Sequence, residues 1–134
     1  MSKTFRYTLS STFEESERVP GIVEEIAKDC SLSEEDTGNF MLLLSEAVSN
    51  AIEHGNENDP SKKVAIFISI KPDKISSTVQ DEGTGFNPDE AKDPLAEKNL
   101  LDTRGRGLFL LNEIAESVTY SENGTKLSFT MNRT

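Results

Sequence analysis

The sequence has few of the residues that mark secreted, metal-rich or membrane proteins. Its 134 residues include one cysteine, Cys30, one histidine, His54, and no tryptophan. A single cysteine forms no internal disulfide, and a chain of this length can bury a core without one. No apolar run exceeds five residues, and residues 1–4 contain no hydrophobic signal segment. We therefore expect neither secretion nor a membrane span, and we predict a cytoplasmic protein.

Basic residues are also scarce, with 14 lysines and arginines against 24 acidic residues and a formal net charge of -10. This charge repels a phosphate backbone, so direct nucleic-acid binding is disfavoured. It would suit a basic protein partner, although an acidic composition also serves solubility alone. The chain length predicts a single domain over residues 1–134.

Hydrophobic periodicity predicts strands at residues 3–10, 64–70, 75–80, 118–121 and 127–131, and helices at residues 20–30 and 33–55. The polar stretch 11–18 is interpreted as a connection, and apolar residues on both faces favour an interior position for strand 64–70. Short links favour antiparallel pairing. The predicted fold class is a two-layer α/β sandwich, with a mixed, mostly antiparallel sheet and helices on one face.

The long central helix carries a polar stripe beside its apolar one. Glu46, Asn50 and His54 recur at steps of four, so we expect them to border a cleft at the edge of the core. Asn50 offers an uncharged oxygen to Mg²⁺, and Glu46, one turn earlier, could take a proton from a hydroxyl. The alternatives are that Glu46 is a solvated glutamate and that His54 is a structural residue that closes the helix, and for His54 we prefer this structural interpretation.

Two glycine-containing segments follow. Asp81-Glu82-Gly83-Thr84-Gly85 ends a strand, where Asp81 could accept a hydrogen bond from an exocyclic amine. Arg104-Gly105-Arg106-Gly107 opens a helix whose free N–H groups favour an anion. Either segment could simply be a turn. Together with Asn50 they predict a site for a nucleoside triphosphate and its Mg²⁺, under a lid at residues 87–104.

These residues carry a family resemblance. Residues 46–55 (EAVSNAIEHG) resemble the N-box of the GHKL, or Bergerat-fold, ATPase superfamily, and residues 81–85 (DEGTG) and 105–108 (GRGL) resemble its two glycine boxes. Within that superfamily, the short chain and the wording of its motifs are most similar to the anti-sigma factor serine/threonine kinases.

The resemblance implies a role for each matching residue. Glu46 corresponds to the general base and Asn50 to the Mg²⁺ ligand. The nucleotide-binding positions are Asn50, Asp81 for adenine, Gly83 and Gly85 beside it, Gly105, Arg106, Gly107 and Leu108 for the phosphates, and Thr125 in a late Gly-Thr pair. Thr103 stands where some relatives place an arginine, so Arg104 is not assigned a phosphate contact.

The implied function is an ATP-dependent kinase that binds a sigma factor and phosphorylates a serine of an antagonist protein. Family members often form homodimers. A different class of function is a protein-binding module that ATP switches with little phosphoryl transfer. The catalytic half of a histidine kinase and a stand-alone ATP hydrolase are less favoured, because the chain shows neither a spare helical hairpin nor a segment that couples hydrolysis to motion.

Overall fold

The computed structural model describes residues 2–83, 113–121 and 125–134. In chain order its elements are strand β1 (Lys3–Ser10), helices α1 (Phe13–Ser16), α2 (Val19–Cys30) and α3 (Glu34–Asn50), a π-helical turn (Ala51–Gly55), and strands β2 (Lys63–Ile70), β3 (Lys74–Gln80), β4 (Ser117–Ser121) and β5 (Lys126–Asn132).

The strands form one sheet in the order β1-β2-β3-β5-β4, and each described pair is antiparallel. Leu9 pairs with Val64, Ile66 with Val79, and Val79 with Leu127, so inward-facing apolar residues lie side by side across the sheet. The predicted fold class is confirmed, and the parallel component of a mixed sheet is not found among the described strands.

The core lies between the inner face of the sheet and the apolar stripes of α2 and α3. Side chains at steps of three and four on the helices meet alternate residues of the strands, as the two periodicities require. The buried apolar residues are Leu9, Val19, Ile22, Val23, Ile26, Phe40, Leu43, Leu44, Ala47, Val48, Ala51, Ile52, Val64, Ile66, Ile68, Ile70, Ile75, Val79, Leu127, Phe129 and Met131.

Local signals in the sequence explain where the two long helices begin and end. Pro20 lies in the first turn of α2, and Ser31 ends that helix in the left-handed conformation at φ 55°. The Ser33 hydroxyl caps α3 by accepting a hydrogen bond from the Asp36 N–H at 3.1 Å. The two ends of α2 and the start of α3 agree with the prediction.

Two predictions about the helices were wrong in detail. The stretch 11–18 contains the short helix α1. The Thr12 hydroxyl caps this helix by accepting a hydrogen bond from the Glu15 N–H. The central α-helix stops at Asn50 and not at Gly55, because the next residues form a π turn in which the Asn56 N–H donates to the Ala51 carbonyl at 2.8 Å. Such wide turns occur frequently at functional sites.

The structure confirms the interior position predicted for β2. The strand is interior, between β1 and β3, but its outward Phe67 is 40% exposed. The Arg6 guanidinium lies over the Phe67 ring at 5.2 Å from its centroid, a cation–π contact that partly shields it.

Arg133 and Thr134, which follow β5, bond to the two long helices and to the β2–β3 turn. Arg133 donates to the carbonyl oxygens of Lys71 and Cys30, at 2.9 and 2.6 Å. The buried carboxylate of Asp36 accepts from the N–H and the hydroxyl of Thr134, at 2.9 and 3.1 Å. These contacts join α2 and α3 to the end of β5. In the described ranges, no helix has the length and apolar character needed to cross a bilayer.

Replacing Ser77 by alanine is expected to stabilise the protein. The Ser77 side chain is 3% exposed, and its hydroxyl has no hydrogen-bond partner within the described residues, so removing it should raise the free energy of unfolding by about 1 kcal/mol. Ser76→Ala is the control, because the Ser76 hydroxyl lies 3.3 Å from that of Thr130 and its loss should not stabilise. Urea unfolding measures both, and a lower stability of Ser77→Ala would contradict the expectation.

Candidate functional site

Glu46 lies on the fourth turn of α3, at the border between the buried stripe and solvent. Its side chain is partly buried, and this burial, followed by the negative charge of Glu53, raises the pKa of its carboxyl group. Both causes disfavour the charged form. A carboxylate with a raised pKa is a better proton acceptor than a solvated one, so the environment suits the predicted general base.

Asn50 is the last residue of α3, one turn beyond Glu46. Both polar atoms of its amide are buried, and neither has a hydrogen-bond partner within the described residues. Leaving a buried polar group unpaired costs about 1–3 kcal/mol, and native structures rarely retain such a group without a reason. The amide is therefore suited to a polar or metallic ligand that the described residues do not provide.

His54 follows Asn50 by four residues, inside the π turn. Its Nε2 atom is buried without a hydrogen-bond partner in the described part of the chain, and lies 4.0 Å from a carboxylate oxygen of Glu53. A structural histidine that closed the helix would be expected to make such a bond. The preferred interpretation of His54 thus finds no support in its contacts.

The end of the π turn packs directly against the end of β3. A Cβ atom on Gly55 would overlap the Asp81 carboxylate, and a Cβ on Gly83 would overlap the Gly55 carbonyl group. Both positions therefore need glycine for close packing. For Gly83 this reason differs from the one that the sequence suggested, which was access for a nucleotide.

Asp81 is held by its neighbours on both sides. Its N–H donates to the Thr125 carbonyl at 2.9 Å, and its Oδ1 accepts from the Gly83 N–H at 2.8 Å. Thr125, predicted from the late Gly-Thr pair, is thereby placed beside Asp81. The other carboxylate oxygen, Oδ2, lies nearest to Gly55.

The structure thus brings together two of the three predicted segments. The end of the central helix and the tip of β3 meet at Gly55 and Asp81, with Thr125 beside them. The remaining predictions lie outside the described residues: Gly85, the lid at residues 87–104, Arg104, and the phosphate-binding residues Gly105, Arg106, Gly107 and Leu108.

Sequence reasoning missed Asn56, the residue that joins these segments. It is 0% exposed, and its side chain bonds to residues from three different parts of the chain. It was grouped with the polar, turn-forming stretch 56–63. An asparagine directly after the glycine of the N-box was the available signal, but its partners could not be identified from the sequence.

Replacing Gly83 by alanine should destabilise the protein. The new methyl group would overlap the Gly55 backbone, and overpacking of this kind costs about 1–3 kcal/mol. Gly38→Ala is the matched control, because nothing lies within 4 Å of that position on α3 and alanine favours a helix by about 1 kcal/mol. Thermal or urea unfolding should move the two variants in opposite directions, and equal stability of Gly83→Ala and the original chain would disprove the close contact.

Comparisons with known proteins identify the family of this chain. A family model described as the histidine kinase-like ATPase domain matches residues 9–131. The chain is 43% identical over 98 residues to a Clostridium perfringens protein named anti-sigma F factor, covering 69% of this chain and 70% of that one. Proteins of the same name from Oceanobacillus iheyensis and Bacillus cytotoxicus are 38% and 35% identical, over 66% and 72% of this chain and 64% and 69% of theirs. The family expected from the three motifs is thereby confirmed, and the chain belongs to the histidine kinase-like ATPase domain family.

Proposed function

We propose that this protein is an ATP-dependent anti-sigma factor kinase, which binds a sigma factor and phosphorylates a serine of an antagonist protein. The observation that carries the proposal is the buried amide of Asn50, which has no partner within the described residues. It lies one turn after a glutamate with a raised pKa and directly before the π turn that packs against Asp81. The similarity to proteins named anti-sigma F factor supports the choice of partner class.

In this proposal ATP lies across the contact between the π turn and β3. The Asp81 carboxylate accepts a hydrogen bond from the exocyclic amine of adenine. Thr125 and Gly85 border the base. The N–H groups at Gly105 and Gly107, with Arg106 and Leu108, receive the phosphates.

The residues present fit a magnesium ion. The described residues contain no group of three or more acidic, histidine or cysteine side chains that could hold a metal alone. Mg²⁺ commonly takes only one or two protein ligands and completes its shell with water and substrate phosphates. Asn50 would supply the protein oxygen, and the ion would neutralise phosphate charge when bound.

Glu46 would perform the proton transfer. Its carboxylate would accept the proton of the substrate serine hydroxyl as that oxygen bonds to the γ-phosphorus of ATP, and the bond to the leaving oxygen of ADP breaks. Partial burial excludes water from one side of Glu46 and raises the pKa of its carboxyl group toward the range in which a base is effective.

The remaining parts of the proposal concern partners and location. A net charge of -10 favours basic docking surfaces on the sigma factor and on the antagonist. We place the reaction in the cytoplasm, where ATP is available, and include a homodimer among the expected assemblies.

ATP binding should depend on Asp81 and Asn50. Titration calorimetry with Mg²⁺ present should detect ATP binding to the original chain. Asp81→Asn and Asn50→Ala should each weaken the affinity by at least about tenfold, because the first loses a hydrogen bond to a charged group and the second loses a metal ligand. Asp73→Asn and Asn132→Ala, exposed positions at the opposite end of the sheet, are matched controls that should bind normally. No heat of binding in the original chain would refute the nucleotide site.

Phosphoryl transfer should require Glu46 in its charged form. Glu46→Gln should bind ATP normally but lose about 10²-fold or more of the transfer rate to a serine-containing antagonist, while Glu24→Gln, an exposed change on α2, should not. Because the pKa of Glu46 is raised, the rate should fall as pH decreases through that pKa, at a higher pH than an ordinary glutamate would give. If the original chain shows ATP-dependent partner binding but no transfer at any pH, the binding-module alternative replaces the kinase.

A further inference from the structure

The segment that directly follows β3, residues 81–83, is bonded to a buried side chain, that of Asn56. This residue directly follows Gly55, whose Cα faces the Asp81 carboxylate, and it is 0% exposed. Its Oδ1 accepts from the N–H of Glu82, the residue after Asp81, at 2.7 Å. The N-box helix and the strand tip are therefore joined by a side-chain bond in addition to backbone packing.

The other end of the Asn56 amide is anchored to the sheet. Its Nδ2 donates to the Lys63 carbonyl at 3.0 Å and to the Ser11 hydroxyl at 2.7 Å. Ser11 is also fully buried, and its hydroxyl in turn donates to the Lys62 carbonyl at 2.9 Å. These acceptors fix the orientation of the amide, because only its NH₂ group can face the Lys63 carbonyl and only its oxygen can face the Glu82 N–H.

Glu82 is held a second time through its own side chain. A carboxylate oxygen of Glu82 accepts from the Lys63 N–H at the start of β2. Asn56 and Glu82 thus both bond to Lys63, and through it the segment 81–83 is fixed to an interior strand. Two backbone bonds set the position of Asp81. Its own N–H donates to the Thr125 carbonyl, and the N–H of the next residue, Glu82, donates to Asn56.

We propose that Asn56 is a positioning residue for nucleotide recognition, which holds the Asp81 carboxylate at the distance and angle needed to accept the adenine amine. The inference rests on the proposed ATP site and adds to it the residue that determines its selectivity for the base. Hydrogen bonding depends steeply on donor–acceptor angle and distance. Losing the restraint on Glu82 should therefore weaken recognition of the amine more than recognition of the phosphates.

The test compares ATP with inosine triphosphate, which carries a carbonyl oxygen where adenine carries its amine. Asn56→Asp keeps an acceptor for Glu82 but removes the donor to Lys63, and Asn56→Ala removes both. Asn56→Ala should therefore reduce the preference for ATP over inosine triphosphate by about tenfold, which is the contribution of one hydrogen bond to a charged group. Asn56→Asp, which still restrains Glu82 but has lost its bond to Lys63, should reduce the preference by a smaller factor. Affinity for inosine triphosphate should change less than about twofold, within ordinary variation for an unaffected phosphate site.

Two controls separate positioning from general destabilisation. Ile26 is a buried core residue of α2. Ile26→Val should lower the free energy of unfolding by about 0.5–1.5 kcal/mol and leave the preference for ATP over inosine triphosphate unchanged. Glu82→Ala changes an exposed side chain, so it should fold even if the Asn56 variants do not. It should reduce the preference in the same direction, because it removes the second bond to Lys63.

A readout on the nucleotide-free protein completes the design. Amide hydrogen exchange of Glu82 should accelerate in Asn56→Ala, because its N–H loses its acceptor. Unchanged discrimination in all three network variants would overturn the proposal and leave Asn56 as a residue that only closes the fold. If the original chain bound neither nucleotide, the proposed function would fail first, whereas binding without loss of discrimination would reject only the role of Asn56.

Discussion

The contact between a helix end and a strand end is the constraint on which the site depends. The carbonyl group of Gly55 and the backbone of Gly83 lie too close for any side chain, and the Asp81 carboxylate fills the adjacent space. The contact requires Gly55 to lie directly against the end of β3. The π turn places it there, because its i→i+5 bond widens the last turn before Asn56. Core packing of α3 on the sheet supplies the free energy that holds the arrangement.

The site itself is unfavourable for stability when it is considered alone. Asn50 buries an unpaired amide and Glu46 loses hydration, while the fully bonded network around Asn56 and the far-end contacts of Asp36 with Thr134 stabilise the surrounding fold. Unsatisfied polar groups next to satisfied ones are the pattern expected where a ligand completes the structure. Near the site, the side chain of Asn56 therefore holds the scaffold, whereas those of Asn50 and Glu46 are available for chemistry.

Periodicity predicted most of the fold, because β1, α2 and β5 each present an apolar face with a regular repeat. It could not predict α1, which is four residues long and has no buried residue, or the π turn, whose apolar spacing resembles that of an α-helix. The site was predicted only in part. Glu46, Asn50 and Asp81 lie in recognisable motifs, but the role of Asn56 depends on Ser11 and Glu82, which are 45 and 26 residues away in the chain. Contacts at that separation exist only after the sheet has formed.

The π turn also fixes the spacing between Asn50 and Gly55. Asn50 directly precedes the turn and Gly55 is its last residue, so the four residues 51–54 separate the candidate metal ligand from the residue that touches the candidate base acceptor. Inserting or deleting a residue here would rotate one end by about 100° relative to the other. A nucleotide that spans both ends would then meet only one of them. The register of this short segment, and not only the identity of its residues, is therefore expected to limit how far the sequence can vary.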